Sequence, residues 1–225
     1  MTQRAIEIGR NLDSIRSRIE SAALAADRNP DSITLIAVTK TFPVSDIKVL
    51  YELGIRNFAE NRDQEGSVKA PELPEDSIWH FQGQIQSNKL RSIADWADVI
   101  HSIDEIRHAI KLSNLVQRRR IFVQVSLDES SEKINRGGVE PANLASFLAE
   151  ILALENLDLL GLMAVAPLDE EPAKAFARLN GFSNSVSTTY PESSAISAGM
   201  SGDFEAAIAL GATHIRIGSQ ILGVR

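Results

Sequence analysis

The sequence predicts an α/β protein, a single (β/α)8 TIM barrel with one extra helix at its N-terminus. Three observations lead there. Eight short apolar runs alternate with helical patterns, the signature of parallel βαβ units. The runs are too apolar to face water on either side, which favours a closed barrel over an open sheet. The length, 225 residues, is one that such barrels use as a single domain.

Taken in order, Ala5, Ile8, Leu12, Ile15, Ile19 and Ala23 recur at three- and four-residue steps, so residues 4–27 read as an amphipathic helix. The expected strands are Ile33–Thr39, Asn57–Ala59, Ile78–Phe81, Val99–His101, Ile121–Ser126, Leu157–Met163, Ala195–Ser197 and His214–Ile217. Helical segments fit between them. Val44–Leu53 follows the Phe42-Pro43 break, Asn61–Lys69 stops before Pro71, and Ser87–Ala94 follows the third strand. Ser102-Ile103-Asp104-Glu105 has capping-box spacing ahead of Ile106, Ile110 and Leu115. Pro141 opens a helix with Leu144, Phe147, Leu148 and Ile151 on one face. Residues 169–189 are helical, and Ser201 caps a helix through Leu210 that Gly211 stops. Gly218–Arg225 is too short for a full last helix, so the N-terminal helix is expected to cover the seam between the last and first strands. The predicted organisation is one domain over 1–225, with 1–28 packing on a barrel formed by 33–225.

Composition excludes several classes. Hydrophobic residues at 44% and charged residues at 24% are ordinary for a globular protein. A net charge of −7 argues against an electrostatic nucleic-acid binder, and Arg118-Arg119-Arg120 reads as a solvated lead into a strand. Without cysteine there is no disulfide, thiolate metal site or cysteine nucleophile, which fits a cytoplasmic location. The N-terminus lacks a signal-peptide core, and no stretch approaches the ~20 apolar residues of a membrane span. The histidines show no paired ligand spacing, so no metal is expected. No Gly-x-Ser-x-Gly turn points to a hydrolase. No long apolar stripe demands a dimer, and a monomer is expected.

In a barrel the active groups sit just past the strand C-termini. Lys40 ends the first apolar run. Partial burial of a lysine there would favour its neutral, nucleophilic form, able to condense with an aldehyde; the alternative is a strand-end lysine facing water. The loops after strands seven and eight form the usual phosphate site of this architecture. Here they carry Ser197-Ala198-Gly199-Met200-Ser201-Gly202 and Gly218-Ser219. Ser201 adds a hydroxyl, and Gly199 and Gly202 permit close backbone approach; alternatively Ser201 is only a cap. Arg216 must point opposite to Ile215 and Ile217, and an inward arginine needs an acceptor or an anion. An amine, a phosphate cradle and an arginine at one mouth suggest a phosphorylated aldehyde, with pyridoxal 5′-phosphate (PLP) the obvious candidate.

In combination and order, these segments resemble the pyridoxal phosphate homeostasis protein family, the YggS-like or proline-synthetase-associated proteins. The resemblance rests on Ala37-Val38-Thr39-Lys40, Ala59-Glu60-Asn61 with Gln64-Glu65, Trp79-His80-Phe81-Gln82-Gly83, Gln86-Ser87-Asn88-Lys89 and Gly161-Leu162-Met163. Ser197-Ala198-Gly199-Met200-Ser201-Gly202-Asp203 and Arg216-Ile217-Gly218-Ser219 complete it. It implies a barrel like the N-terminal domain of alanine racemase, with PLP held as a Schiff base on Lys40. It further implies that Arg216 faces the pyridine nitrogen, that Ser201 and Gly218-Ser219 hold the phosphate, and that Asn61, His80 and Met163 line the pocket. Ser197 and Gly199 fall in the same motif. Ala198 and Ala59 depart from the pattern by small changes; Arg136 replaces a frequent lysine and disfavours any secondary cofactor site there.

The expected function is PLP binding for intracellular vitamin B6 homeostasis, buffering or delivering the cofactor without turnover, with apo forms of PLP-dependent enzymes as recipients. A cationic arginine opposite the pyridine nitrogen disfavours its protonation. Racemases also take a tyrosine from an additional β domain, for which this chain leaves no residues. Its two tyrosines, Tyr51 and Tyr190, are not at strand C-termini. A minimal PLP enzyme such as an amino-acid racemase is the alternative; a class I aldolase using Lys40 is a third reading.

Overall fold

Each apolar run becomes a strand because it is covered on both faces. The computed structural model describes residues 2–128 and 137–223. Its strands are β1 (Thr34–Val38), β2 (Asn57–Glu60), β3 (Ile78–Phe81), β4 (Val99–Ile103), β5 (Arg119–Gln124), β6 (Leu157–Met163), β7 (Ala195–Ser197) and β8 (His214–Ile217). Neighbours pair in parallel in chain order, and β8 returns to β1 from Thr34↔His214 to Ala37↔Ile217, closing the barrel. Around it lie α1 (Gln3–Ala25), α2 (Val44–Glu52), α3 (Asp63–Lys69), α4 (Leu90–Trp96), α5 (Ile106–Ser113), α6 (Leu144–Leu152), α7 (Pro172–Thr189), α8 (Phe204–Ala209) and α9 (Ser219–Leu222). Among the described residues, no helix is long and apolar enough to cross a membrane.

Strand side chains alternate, so the barrel has two apolar layers. Phe58, Trp79, Ile100, Ile121, Leu162, Ile215 and Ile217 join the continuous core beneath the helices. Ile36, Val38 and Ala59 form a small cluster on the inner face, and Val99, Phe122 and Met163 form another. Polar residues share that interior: His80, His101, Ser197 and Arg216 are all buried. In β6 the pairing with β5 shifts between Ile121 and Phe122, and Gly161 sits at the shift with φ +154°. A Cβ there would stand 1.9 Å from the Ala195 carbonyl oxygen, so only glycine allows the strands to stay paired.

The predicted stripe of α1 is the buried one, Ala5, Ile8, Leu12, Ile15, Ile19 and Ala23. Ile8, Leu12 and Ile15 are almost solvent-free, each worth about 1.5–3 kcal/mol of burial. The helix packs against α2, α8 and α9, as expected for a cover over the β8–β1 seam. Arg4 donates to the Leu222 carbonyl at 2.7 Å and Asn11 to that of Ile221 at 3.0 Å, pinning the single turn of α9.

Some local expectations fail. Ser102 lies in β4 and donates to the Gly83 carbonyl at 2.6 Å, so it is no cap; α5 begins at Ile106 after an uncapped Glu105. Pairing of Ile103 with Val123 claims that segment for the sheet. Ser201 does not cap α8, which starts at Phe204; Asp203 precedes it and accepts from the Met200 N–H at 2.6 Å. Asn61, Ser87 and residue 169 lie in loops, because α3, α4 and α7 start later. Pro141 opens a 3-10 turn that leads into α6. Arg136 and most of the loop after β5 lie outside the described residues.

A buried ion cluster holds the turn after β1. The Lys69 ammonium donates to Glu60 Oε1 at 2.7 Å, Glu65 Oε2 at 2.7 Å and the Thr39 carbonyl at 2.9 Å. Glu65 also accepts from the Thr41 N–H at 2.7 Å, and the Thr39 hydroxyl donates to Glu60 at 2.6 Å. The backbone is thus fixed on both sides of residue 40, and Thr41 is held at φ +68°.

Lys69→Met leaves Glu60 buried without its cation and is expected to cost about 3–5 kcal/mol in urea denaturation, with Glu60→Gln added on top recovering part of the loss. Loss of under about 1 kcal/mol would show that the cluster does not hold this turn. A second expectation concerns acid. Burial holds His80 and His101 well below the usual 6.5 and His214 at about 4. The unfolded chain binds protons at these rings before the folded one does, so stability is full above about pH 6.5 and falls as the pH drops. The slope is up to about 1.4 kcal/mol per pH unit for each ring, measurable as a falling urea midpoint between about pH 7 and about pH 5.

Candidate functional site

The C-terminal ends of the strands open onto a cavity of about 460 Å³, within the range of about 300–1,000 Å³ usual for small-ligand sites. Lys40, Asn61, Met163, Ser201, Arg216, Gly218 and Ser219 all line it, so most of the expected site converges here. Gly202, expected to permit close backbone approach, lines it too, as do Val38, Gln82, Val165 and Met200, which were given no role in the site. Alternation could have found three of them. Val38 is two residues from the inward Ile36, Gln82 two beyond His80, and Val165 two beyond Met163.

Lys40 lies at the lip and is exposed, contrary to the expected partial burial. Thr39 is fully buried on the outer side, bonded to Glu60, and the left-handed Thr41 carries the chain away, so residue 40 is left facing the opening. Its amine has no hydrogen-bond or ion-pair partner among the described residues.

Arg216 lies deeper, buried at the inner end of the cavity. It donates through one nitrogen to Ser197 Oγ at 2.6 Å and through another to the Ala164 carbonyl at 3.1 Å. Burial lowers its pKa to about 10, so it remains a cation at neutral pH. Neither acceptor is a carboxylate, and among the described residues no ion pair neutralises it. Asp203 attracts this charge only through space, and a cation that no carboxylate touches at a cavity wall favours an anionic or electron-rich ligand.

Ser201 and Ser219 converge at one corner, with their hydroxyl oxygens 3.4 Å apart. Released from capping, Ser201 is free to serve a ligand. The first N–H groups of α9 lie beside Ser219, and such groups have no partner inside their own helix. Asn61 Oδ1 and Gln82 Oε1 are buried without a partner, on residues that line the cavity. Buried acceptors of this kind call for a donor from a ligand or water.

Three expected site residues do not reach the cavity. His80 sits lower in the barrel, its Nε2 at 3.0 Å from Asn57 Oδ1 and its Nδ1 at 2.8 Å from His101 Nε2. Gln82, two residues up the chain, occupies the level expected of it. Ser197 is wholly buried beneath Arg216 and touches His101 Nδ1 at 2.9 Å. Gly199 faces α8: its carbonyl accepts from the Arg216 N–H at 3.0 Å. A Cβ at this φ +90° residue would stand 2.7 Å from the Ala207 Cβ. It shapes the turn rather than the cavity wall.

A second cavity of about 530 Å³ shares Asn61 with the first and includes Lys89, whose amine is 3.6 Å from Asp63. Tyr51 is on α2, bonded to Asp76 at 2.6 Å, and Tyr190 follows α7; neither lines the first cavity.

Comparison with known proteins places this geometry. The model of the alanine racemase N-terminal domain matches residues 10–225. A pyridoxal phosphate homeostasis protein of Mycobacterium tuberculosis (strain ATCC 25618 / H37Rv) is 38% identical over 246 residues, which cover 99% of this chain and 94% of that one. The structure of PipY from Synechococcus elongatus PCC7942, with PLP bound, superposes with a TM-score of 0.83 at 34% identity, covering 96% of this chain and all of the other. A protein from Bifidobacterium adolescentis superposes with a TM-score of 0.90 at 27% identity, covering 98% and 97% of the two chains. A full-length match in sequence and a barrel of the same closure leave one assignment: the chain belongs to the alanine racemase N-terminal domain family and, within it, to the pyridoxal phosphate homeostasis proteins.

Proposed function

We propose that this chain binds pyridoxal 5′-phosphate at the β-barrel mouth through Lys40 and serves PLP homeostasis, holding and releasing the cofactor without turning over a substrate. The observation that carries the reading is the Lys40 amine, unpartnered among the described residues, in one cavity with the buried Arg216 cation and the Ser201–Ser219 pair. The donor set fits the group: an amine for an aldehyde, hydroxyls for a phosphate, and a fixed cationic donor for the lone pair of a ring nitrogen.

When bound, PLP supplies an aldehyde that condenses reversibly with a primary amine to a Schiff base, a visible chromophore. The chain's own part is to orient and retain it. The Lys69 cluster fixes the backbone on each side of Lys40 and so aims its amine. Ser201 and Ser219 would hold the phosphate, and the orphan oxygens of Asn61 and Gln82 accept from any N–H or O–H brought into the cavity. Arg216 stays charged and disfavours a proton on a ring nitrogen near it, which weakens the electron sink that PLP enzymes rely on.

Absence of turnover is supported by the lining itself. Among the described residues around the cavity there is no His, Tyr, Asp, Glu or Cys, so Lys40 has no second acid–base partner on an opposite face. Its exposed position suits exchange with apo PLP enzymes as recipients. We take 1–225 to act as one PLP-binding unit, monomeric and cytoplasmic.

Purified protein, loaded with PLP, is expected to be yellow, and Lys40→Ala to lose the visible band completely. Borohydride reduction should place the pyridoxyl mass on the Lys40 peptide; a colourless wild type that takes up no PLP overturns the reading. Incubation with amino acids followed by chiral chromatography tests the non-catalytic part, which clear turnover would refute.

A further inference from the structure

Arg216, Ser197, His101, His80 and Asn57 form one hydrogen-bonded line down the barrel interior, with successive separations of 2.6, 2.9, 2.8 and 3.0 Å. Its upper end lines the cavity, and Asn57 lines a cleft that also contains Thr34 and Leu35 of β1. The chemistry of the upper end sets its direction. A guanidinium only donates, so Ser197 Oγ accepts from Arg216. Ser197 is wholly buried, and His101 Nδ1 is the one acceptor within reach of its own proton among the described residues. The reverse direction would aim two donors at Ser197 and strand its hydroxyl proton, a cost of about 1–3 kcal/mol. With Nδ1 accepting, neutral His101 carries its proton on Nε2 and donates to His80 Nδ1. His80 then carries its proton on Nε2 and donates to Asn57 Oδ1. Phe122 stacks on the His101 ring at 4.6 Å and 24°, fixing its plane.

We propose that His101 and His80 are positioning residues for Arg216, both locked as Nε2–H tautomers, so that Ser197 holds the guanidinium in one orientation at the cavity wall. Each junction has room for a single proton. A second proton on either ring would set two N–H or O–H donors face to face across 2.8 or 2.9 Å, a hydrogen-bond length that accommodates one proton. Burial, which keeps both rings neutral, acts in the same direction. This deepens the PLP reading and rests on it only where the cofactor serves as the probe.

Histidine-selective ¹⁵N labelling of the cofactor-free protein tests the tautomers directly. Long-range ¹H–¹⁵N spectra should show bare Nδ1 and protonated Nε2 on both rings, unchanged from about pH 6 to about pH 8. A proton on either Nδ1, or titration of either ring in that window, overturns the proposal. After PLP loading, Ser197→Ala should weaken PLP binding about tenfold, from loss of a hydrogen bond to a charged group, and shift the visible band; Ser197→Thr should restore both. A Ser197→Ala protein with wild-type spectrum and affinity also overturns it. Failure of the wild type to take up PLP counts against the function proposed above, and the tautomer result then decides the positioning roles alone.

Discussion

A permanently charged guanidinium inside the barrel is the constraint around which the rest of the site is organised. Among the described residues, the buried Arg216 side chain on β8 hydrogen-bonds a serine hydroxyl and a carbonyl, and Asp203 attracts its charge through space. Burying an arginine without a carboxylate is costly unless neutral dipoles and a ligand share its charge. The barrel supplies the dipoles through Ser197 and the histidines below, and leaves the ligand side open. An Asp or Glu in their place would cancel the charge and remove the cavity's attraction for an electron-rich group.

The second device lies outside the barrel wall. Thr39 and Glu60 project outward from β1 and β2, and Lys69 of α3 reaches between them. This couples a helix face to the turn bearing the reactive amine. The neighbours of the lysine at the lip, not the lysine itself, carry the anchoring interactions, and it is unpaired among the described residues. A fixed backbone with an exposed side chain suits reversible capture: the amine is aimed, yet none of the described residues competes with a ligand for it.

Much of this was legible in the sequence. Strands in a parallel barrel are covered on both faces, so each reads as a continuous apolar run; all eight expected runs overlap their observed strand within two residues at either end. The α1 stripe was legible for the same reason, since its side chains meet one surface. Caps were not. Ser102 and Ser201 have the local chemistry of helix starts, but strand pairing took the first and Asp203 displaced the second. Lys40, Ser201 and Arg216 were found by residue type and position at strand ends, whereas His80 was placed at the pocket by the family resemblance, and Gln82 two residues on lines it instead. Depth along a strand decides which of two inward residues meets a ligand, and the type of a residue carries no depth.

The sequence alone determined the barrel, its seam-covering helix, and the gathering of Lys40, Arg216, Ser201 and Ser219 at one mouth. These follow from hydrophobic periodicity and from the rule that strand C-termini share one end. The tertiary structure alone decided that Lys40 is exposed, that Ser197 and His80 serve beneath the cavity, and that five side chains join in one line. Those outcomes depend on separations of a few ångströms between residues distant in the chain, such as His101 and Ser197. No local pattern encodes such a distance; only closure of the barrel brings the two together.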